Sequence, residues 1–203
     1  MHISSFNELR NIIYSDAYRY IGDSNFHSRC TLYFKTIGFR YTFWLRTNRF
    51  LSQYKWLYPI RVFASLYLKH LSYKSGIQIP YMTQIGRGFY IGHYGTIIIN
   101  GKTIIGNNVN ISPDVVIGRT NRGDHIGIPV IGDEVYIGPG AKIIGAITIG
   151  SNVAIGANAV VTKDVPNNAC VGGIPAQIIN MKGSEGYINR KIRETCYSNK
   201  LTE

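Results

Sequence analysis

Few side chains in this sequence of 203 residues could do chemistry, and they are widely separated. His93 stands in the glycine-flanked segment IGHYG, and His125 in the polar segment RTNRGDHIG. A positioned imidazole can take the proton of a hydroxyl as its oxygen attacks an electrophilic carbon, an effect of about a hundred- to ten-thousandfold. A lone histidine among aliphatic residues is also a common partly buried structural side chain, so residue type alone does not choose between the two. Cys30, Cys170 and Cys196 are odd in number and form no CxxC pair, which implies neither a disulfide framework nor a thiolate zinc site. A reduced, cytoplasmic setting fits them best.

The elements that must position these residues are legible from composition. With 22 Gly, abundant Ile and Val and only 16% charged residues, the chain reads as short apolar strands joined by tight turns. Composition changes near Ser75. Residues 1–75 hold most of the aromatic residues at helix-like spacing and form an N-terminal helical region. Residues 76–180 are glycine-punctuated and β-branched, and residues 181–203 are a polar tail, expected to be helical or partly disordered.

The strongest signal is internal repetition. Ile105, Ile111, Ile117, Ile131, Ile137, Ile143, Ile149, Ile155 and Val161 fall at multiples of six, apart from one longer interval after Ile117. Four residues after each comes a small or β-branched residue, as in Val109, Val115, Val135, Ala141, Ile147, Val153 and Ala159. Glycine follows the first column at Gly106, Gly118, Gly132, Gly138, Gly150 and Gly156, where its tolerance of unusual torsions suits a corner. Six residues make one short strand and one corner of a three-sided prism, so about eighteen complete a coil, and stacked coils close a core that none could close alone. Ile79, Ile85, Ile91 and Ile97 keep the period but reach Ile105 by a step of eight, which places a bulge near Asn100 to Lys102. The polar stretch RTNRGDHIGIP should leave the prism as a loop, and VPNNACVGGIPAQII should cap its end.

Residues 77–180 resemble the hexapeptide-repeat acyltransferases, and within them the serine acetyltransferase branch. The likeness is carried by IGRGFYIGHYGTIII, by IPVIGDEVYIGPGAKIIGAITIGSNVAIGANAVVTKDVP and by GGIPAQII. The resemblance implies a left-handed parallel β-helix, a homotrimer and no metal, with acetyl-CoA as co-substrate in the groove between neighbouring prisms. It implies His93 as the catalytic base and His125 as a second active-site histidine. Gly138, Pro139 and Gly140 would border the pantetheine arm, Ala157 would let it pass close, and Thr162 and Lys163 would lie near the nucleotide. Gly173, Ile174, Pro175 and Ala176 would cover the adenine. Lys163 reads equally as a phosphate partner or an ordinary exposed lysine.

Two departures bear on the acceptor. In serine acetyltransferases one carboxylate precedes the base and another lies about fifteen residues upstream, where this sequence has Gly92 and Gln78. That loss moves the expected acceptor from serine toward a sugar hydroxyl of a cell-surface polysaccharide or its precursor, with serine as the alternative. It also leaves His93 to be oriented by another group, Asp114 or Asp124 being the candidates. A non-catalytic trimeric scaffold is the alternative from another class.

The front end, FRYTFWLRTNRFLSQYKWLYPIRVFASLYLKHLSYKSG, resembles in composition the N-terminal helices of acetyltransferases from exopolysaccharide and capsule pathways. Its Arg40, Arg46, Arg49, Lys55, Arg61 and Lys69 would either meet anionic lipid peripherally or pack on the prism. A formal charge of +11 points to an anionic partner, and with no reader motif nucleic acid is not expected. No secretory signal and no membrane-spanning stretch are visible.

Overall fold

The computed structural model describes residues 3–22 and 25–192, so Cys196 and the last part of the polar tail lie outside the described residues. Four helices come first: α1 (Phe6–Ile21), α2 (Phe26–Lys35), α3 (Ile37–Leu51) and α4 (Tyr58–Ser75). Ser5 caps α1 by accepting from the Glu8 N–H, Asn25 caps α2 by accepting from the Ser28 N–H, and Gly76 ends α4 in the left-handed conformation.

From Ile77 the chain winds into a parallel β-helix of about five coils. The first face stacks Ile77–Gln78, Ile97–Ile99, Val115–Gly118, Lys142–Ile144 and Val160–Val161. The second stacks Gln84–Ile85, Ile104–Ile105, Val130–Ile131 and Thr148–Ile149. The third stacks Tyr90–Ile91, Asn110–Ile111, Tyr136–Ile137, Ala154–Ile155 and Cys170–Gly172, and Gln177–Asn180 returns antiparallel to close it. Both aliphatic columns point inward and are almost fully buried, forming one continuous core.

The glycine column works by close approach rather than by torsion. None of its six glycines has a positive φ; left-handed corner residues include Asn108, Asp114, Glu134, Asn152, Asn158 and Asn168. A Cβ on Gly106 or Gly150 would stand 2.6 Å from backbone of the next coil, and one on Gly132 or Gly138 would stand 2.8 Å away. Only a residue without a side chain lets the corners stack this tightly.

The expected bulge is displaced. Ile91 pairs with Ile111 and Ile97 with Val115, so the corner from Ile91 to Ile97 takes six residues where the one beneath, from Ile111 to Val115, takes four. The two additional residues therefore lie within 92–96, around His93, and not at Asn100–Lys102. The polar excursion is where the period predicts: Ile117 pairs with Ile143, a step of 26 instead of 18, and Thr120 and Gly127 bridge across the loop.

The helices close the open end of the prism. A terminal coil presents unpaired N–H and C=O groups that cost free energy unless satisfied. Here side chains satisfy them. Tyr41 donates to Ile79 O and accepts from Ile79 N, at 3.1 and 3.0 Å. Arg46 donates to the carbonyls of Ile85 and Gly86, at 2.6 Å each. Ser15 accepts from the Gly88 N–H, Asp16 from the Phe89 N–H, and Tyr20 bonds both backbone groups of Ile91. Most of the arginines expected on a lipid-facing surface are thus structural: Arg46 is buried, Arg40 donates to Tyr33 O, and Arg61 donates to the Tyr81 hydroxyl. Among the described residues no helix is long and apolar enough to cross a membrane.

Candidate active site

The corner between the third and first faces gathers most of the chemistry-bearing residues. In descending coils it carries Gly92–His93, then Ser112–Pro113, then Gly138–Pro139–Gly140, then Gly156–Ala157–Asn158, then Gly173–Pro175. Backbone bonds run down it: Gly140 N to Pro113 O at 3.0 Å, Asn158 N to Pro139 O at 2.8 Å, and Val160 N to Gly173 O at 3.0 Å. With strands about 4.8 Å apart, the Gly173 turn lies four coils, about 19 Å, below His93. An extended thioester-bearing chain laid along this edge would meet the imidazole at one end and the closing turn at the other.

His93 is exposed because the two additional residues push its corner out of the prism. It borders a cavity of about 310 Å³ on the outer surface of the third face. The wall is the outward ladder Tyr90, Asn110 and Tyr136, together with Ser112, Arg19, Tyr20 and the segment Tyr187–Arg190. That last segment belongs to the polar tail and is neither helical nor detached. Tyr187 stacks on Tyr136 with centroids 4.5 Å apart, Ser184 donates to Glu134 O, and the Ile192 N–H donates to Asn108. A sequence reading had only the polarity of this segment to go on, so its contribution of Tyr187, Asn189 and Arg190 was missed.

The electrostatics of the cavity are cationic and acid-free. Arg19 is almost fully buried and donates to Gly88 O, Asn189 O and Asn110 Oδ1; burial pushes its guanidinium down to about 10, so it keeps its charge at neutral pH. Burial pushes the Tyr20 phenol well up, so it stays protonated and bonded to Ile91. Arg190 donates to Tyr20 O and is exposed at the rim. Such a site can hold a small anionic molecule beside an imidazole.

The other expected site residues lie elsewhere. His125 sits in the excursion between the first and second faces, where its carbonyl accepts from Ala146 N at 2.8 Å. Thr162 and Lys163 follow Val160–Val161 at that same corner. Within one chain these three are separated from His93 by the whole first face. Of the two carboxylates considered for orienting His93, Asp124 is in the excursion, and Asp114 is on the His93 edge but pairs with Lys142 at 3.1 Å. Gln78 is exposed on the first face, paired with Ile98. Among the described residues no group of three or more His, Cys, Asp or Glu could hold a metal ion.

Comparison with known proteins bears on this edge. Residues 128–163 match the model of the bacterial transferase hexapeptide (six repeats). The chain is 41% identical over 122 residues to a serine acetyltransferase of Staphylococcus xylosus, covering 60% of this chain and 56% of that one. Soybean serine acetyltransferase apoenzyme superposes with a TM-score of 0.66 at 31% identity, over 84% of this chain and 69% of that one. A Brucella abortus serine acetyltransferase in complex with coenzyme A gives 0.65 at 30%, over 86% and 67%. The chain belongs to the hexapeptide-repeat transferase family.

It spans about half the length of the curated relatives it matches. Residues 77–180 number 104, about half of the 203, whereas the soybean match covers 84%. The likeness to these hexapeptide transferases therefore extends into the helical end. These findings overturn the expectation of a polysaccharide or sugar acceptor, since the matched relatives and structures are serine acetyltransferases, and they give no support to a likeness with capsule-pathway enzymes. The expectation rested on the missing carboxylates at Gly92 and Gln78, and for Gly92 the structure supplies a local reason. The Tyr90 ring occupies the space into which a side chain there would project.

Proposed function

We propose that this chain is an acetyl-CoA-dependent serine O-acetyltransferase in which His93 is the general base. The observation that carries the reading is that His93 heads the same prism edge as Gly138–Gly140, Ala157 and Gly173–Pro175. Acetyl-CoA lies along that edge, the glycine-rich corners letting the pantetheine arm approach the backbone and the Gly173–Pro175 turn covering the adenine. Serine enters the cavity beside His93. Its hydroxyl gives a proton to the imidazole as the oxygen attacks the thioester carbon, backbone N–H groups of the corner stabilise the oxyanion, and the thiol of CoA departs with the proton.

His125, Thr162 and Lys163, one face away, serve the site formed with a neighbouring subunit of a homotrimer. Each groove then pairs the His93 edge of one prism with the excursion edge of the next. The relatives named as serine acetyltransferases, and the Brucella abortus structure holding coenzyme A, support this choice of acceptor and co-substrate.

The test is release of free thiol from acetyl-CoA by the full chain, with L-serine and with no acceptor. Serine-dependent release with formation of O-acetylserine supports the reading. A chain that binds acetyl-CoA but releases no thiol on adding serine overturns it.

A further inference from the structure

The charge of this chain is distributed in an unusual way. Residues 24–113 contain no Asp or Glu and eleven Lys and Arg, while the remaining residues hold eleven of each sign. The whole formal charge of +11 therefore resides in one stretch, which includes α2, α3 and α4.

The same stretch holds most of the exposed large hydrophobic side chains among the described residues. Ala64, Leu68 and Leu71 turn one side of α4 inward, onto α3 and the end of the prism core. The opposite side exposes Val62, Phe63, Leu66 and Tyr73, and Trp56, Tyr58 and Ile60 continue it around the helix start. Ring contacts extend the patch, from Phe63 to Trp44 at 6.4 Å and from Tyr33 to Phe34 at the end of α2, where Phe34 is 72% exposed. Lys35, Lys55, Lys69 and Lys74, all exposed, are interspersed with these residues along the chain, and Lys69 lies over the Tyr73 ring. A contiguous apolar patch of this kind marks an interaction surface.

We propose that the outer face of α4, with the end of α2, docks this protein on an anionic lipid surface. The apolar stripe enters the boundary between headgroups and acyl chains, the Trp and Tyr rings sit at headgroup level, and the lysines meet lipid phosphates. A second copy of the chain fits less well, because a two-fold contact through this face would set its lysines against their own copies with no carboxylate between them. The inference does not depend on the acetyl acceptor.

Co-sedimentation of the full chain with vesicles is the test. Vesicles of phosphatidylcholine containing about one third phosphatidylglycerol should bind it, vesicles of phosphatidylcholine alone should not, and raised salt should weaken binding. The double substitution Phe63→Ser with Leu66→Ser should weaken binding about tenfold or more, because the apolar term is lost. Both residues are exposed, so the melting temperature should stay unchanged, and that measurement separates lost docking from lost folding. The proposal is overturned by equal binding to both vesicle types, by binding that survives the double substitution, or by an oligomer that this substitution dissociates while no vesicle is bound.

Discussion

The Tyr90 ring stands where a side chain at position 92 would be: a Cβ on Gly92 would lie 2.9 Å from the ring and 3.3 Å from its hydroxyl. The ring is held there by Tyr20, with centroids 4.4 Å apart, and by the Arg19 guanidinium, 5.7 Å from its centroid. Glycine next to His93 is thus coupled to an aromatic residue two positions earlier, and together they give the cavity beside His93 a phenol wall.

That coupling makes a prediction in two steps. Gly92→Asp alone should cost about 1–3 kcal/mol of stability, since the new side chain enters occupied space. Adding Tyr90→Ala should relieve part of that cost, and a double-mutant cycle in chemical denaturation should show an interaction well above the additive limit of about 0.5 kcal/mol. Additive costs would mean that the ring does not block position 92.

His93→Gln should lower kcat by about a hundred- to ten-thousandfold while leaving the Kd for acetyl-CoA nearly unchanged, because the imidazole acts on the acceptor proton. Steady-state kinetics with calorimetry of CoA binding separates the two. A kcat within about threefold of the parent would remove His93 from the base role.

On the proposed reading Arg190 is the exposed cation of the serine cavity, so Arg190→Ala should raise KM for L-serine about tenfold or more with a smaller change in kcat. Arg190 lies exposed at the rim of the cavity, where its guanidinium donates to the Tyr20 carbonyl, so the fold should persist. An unchanged KM would assign the carboxylate to another group.

At the capped end, Arg46 meets Asp16 at 3.0 Å with both side chains buried. Burial raises the Asp16 carboxyl from its ordinary value, against the opposing pull of Arg46 and the Phe89 N–H. Removing one partner of a buried pair leaves an uncompensated charge, so Asp16→Asn should destabilise by about 3–5 kcal/mol in a denaturant titration. A loss below about 1 kcal/mol would show that the helices contribute little to closing the prism.

By itself the sequence determined the prism, because a period of six forces inward columns and stacked corners whatever the surroundings. Through its resemblance to the hexapeptide-repeat acyltransferases it also pointed to His93, Gly138–Gly140 and Gly173–Pro175, though not to the corners that hold them or to their lying on one edge. That edge, the two additional residues exposing His93, and the separation of His125, Thr162 and Lys163 from it within one chain depend on strand register, and register is settled only when coils stack. The arginine and tyrosine caps on the first coil and the tail segment bringing Tyr187 and Arg190 to the cavity join residues as many as 170 positions apart, as Arg19 and Asn189 are. No local pattern encodes such pairings; they follow from the need to satisfy exposed backbone and aromatic surface once the prism exists.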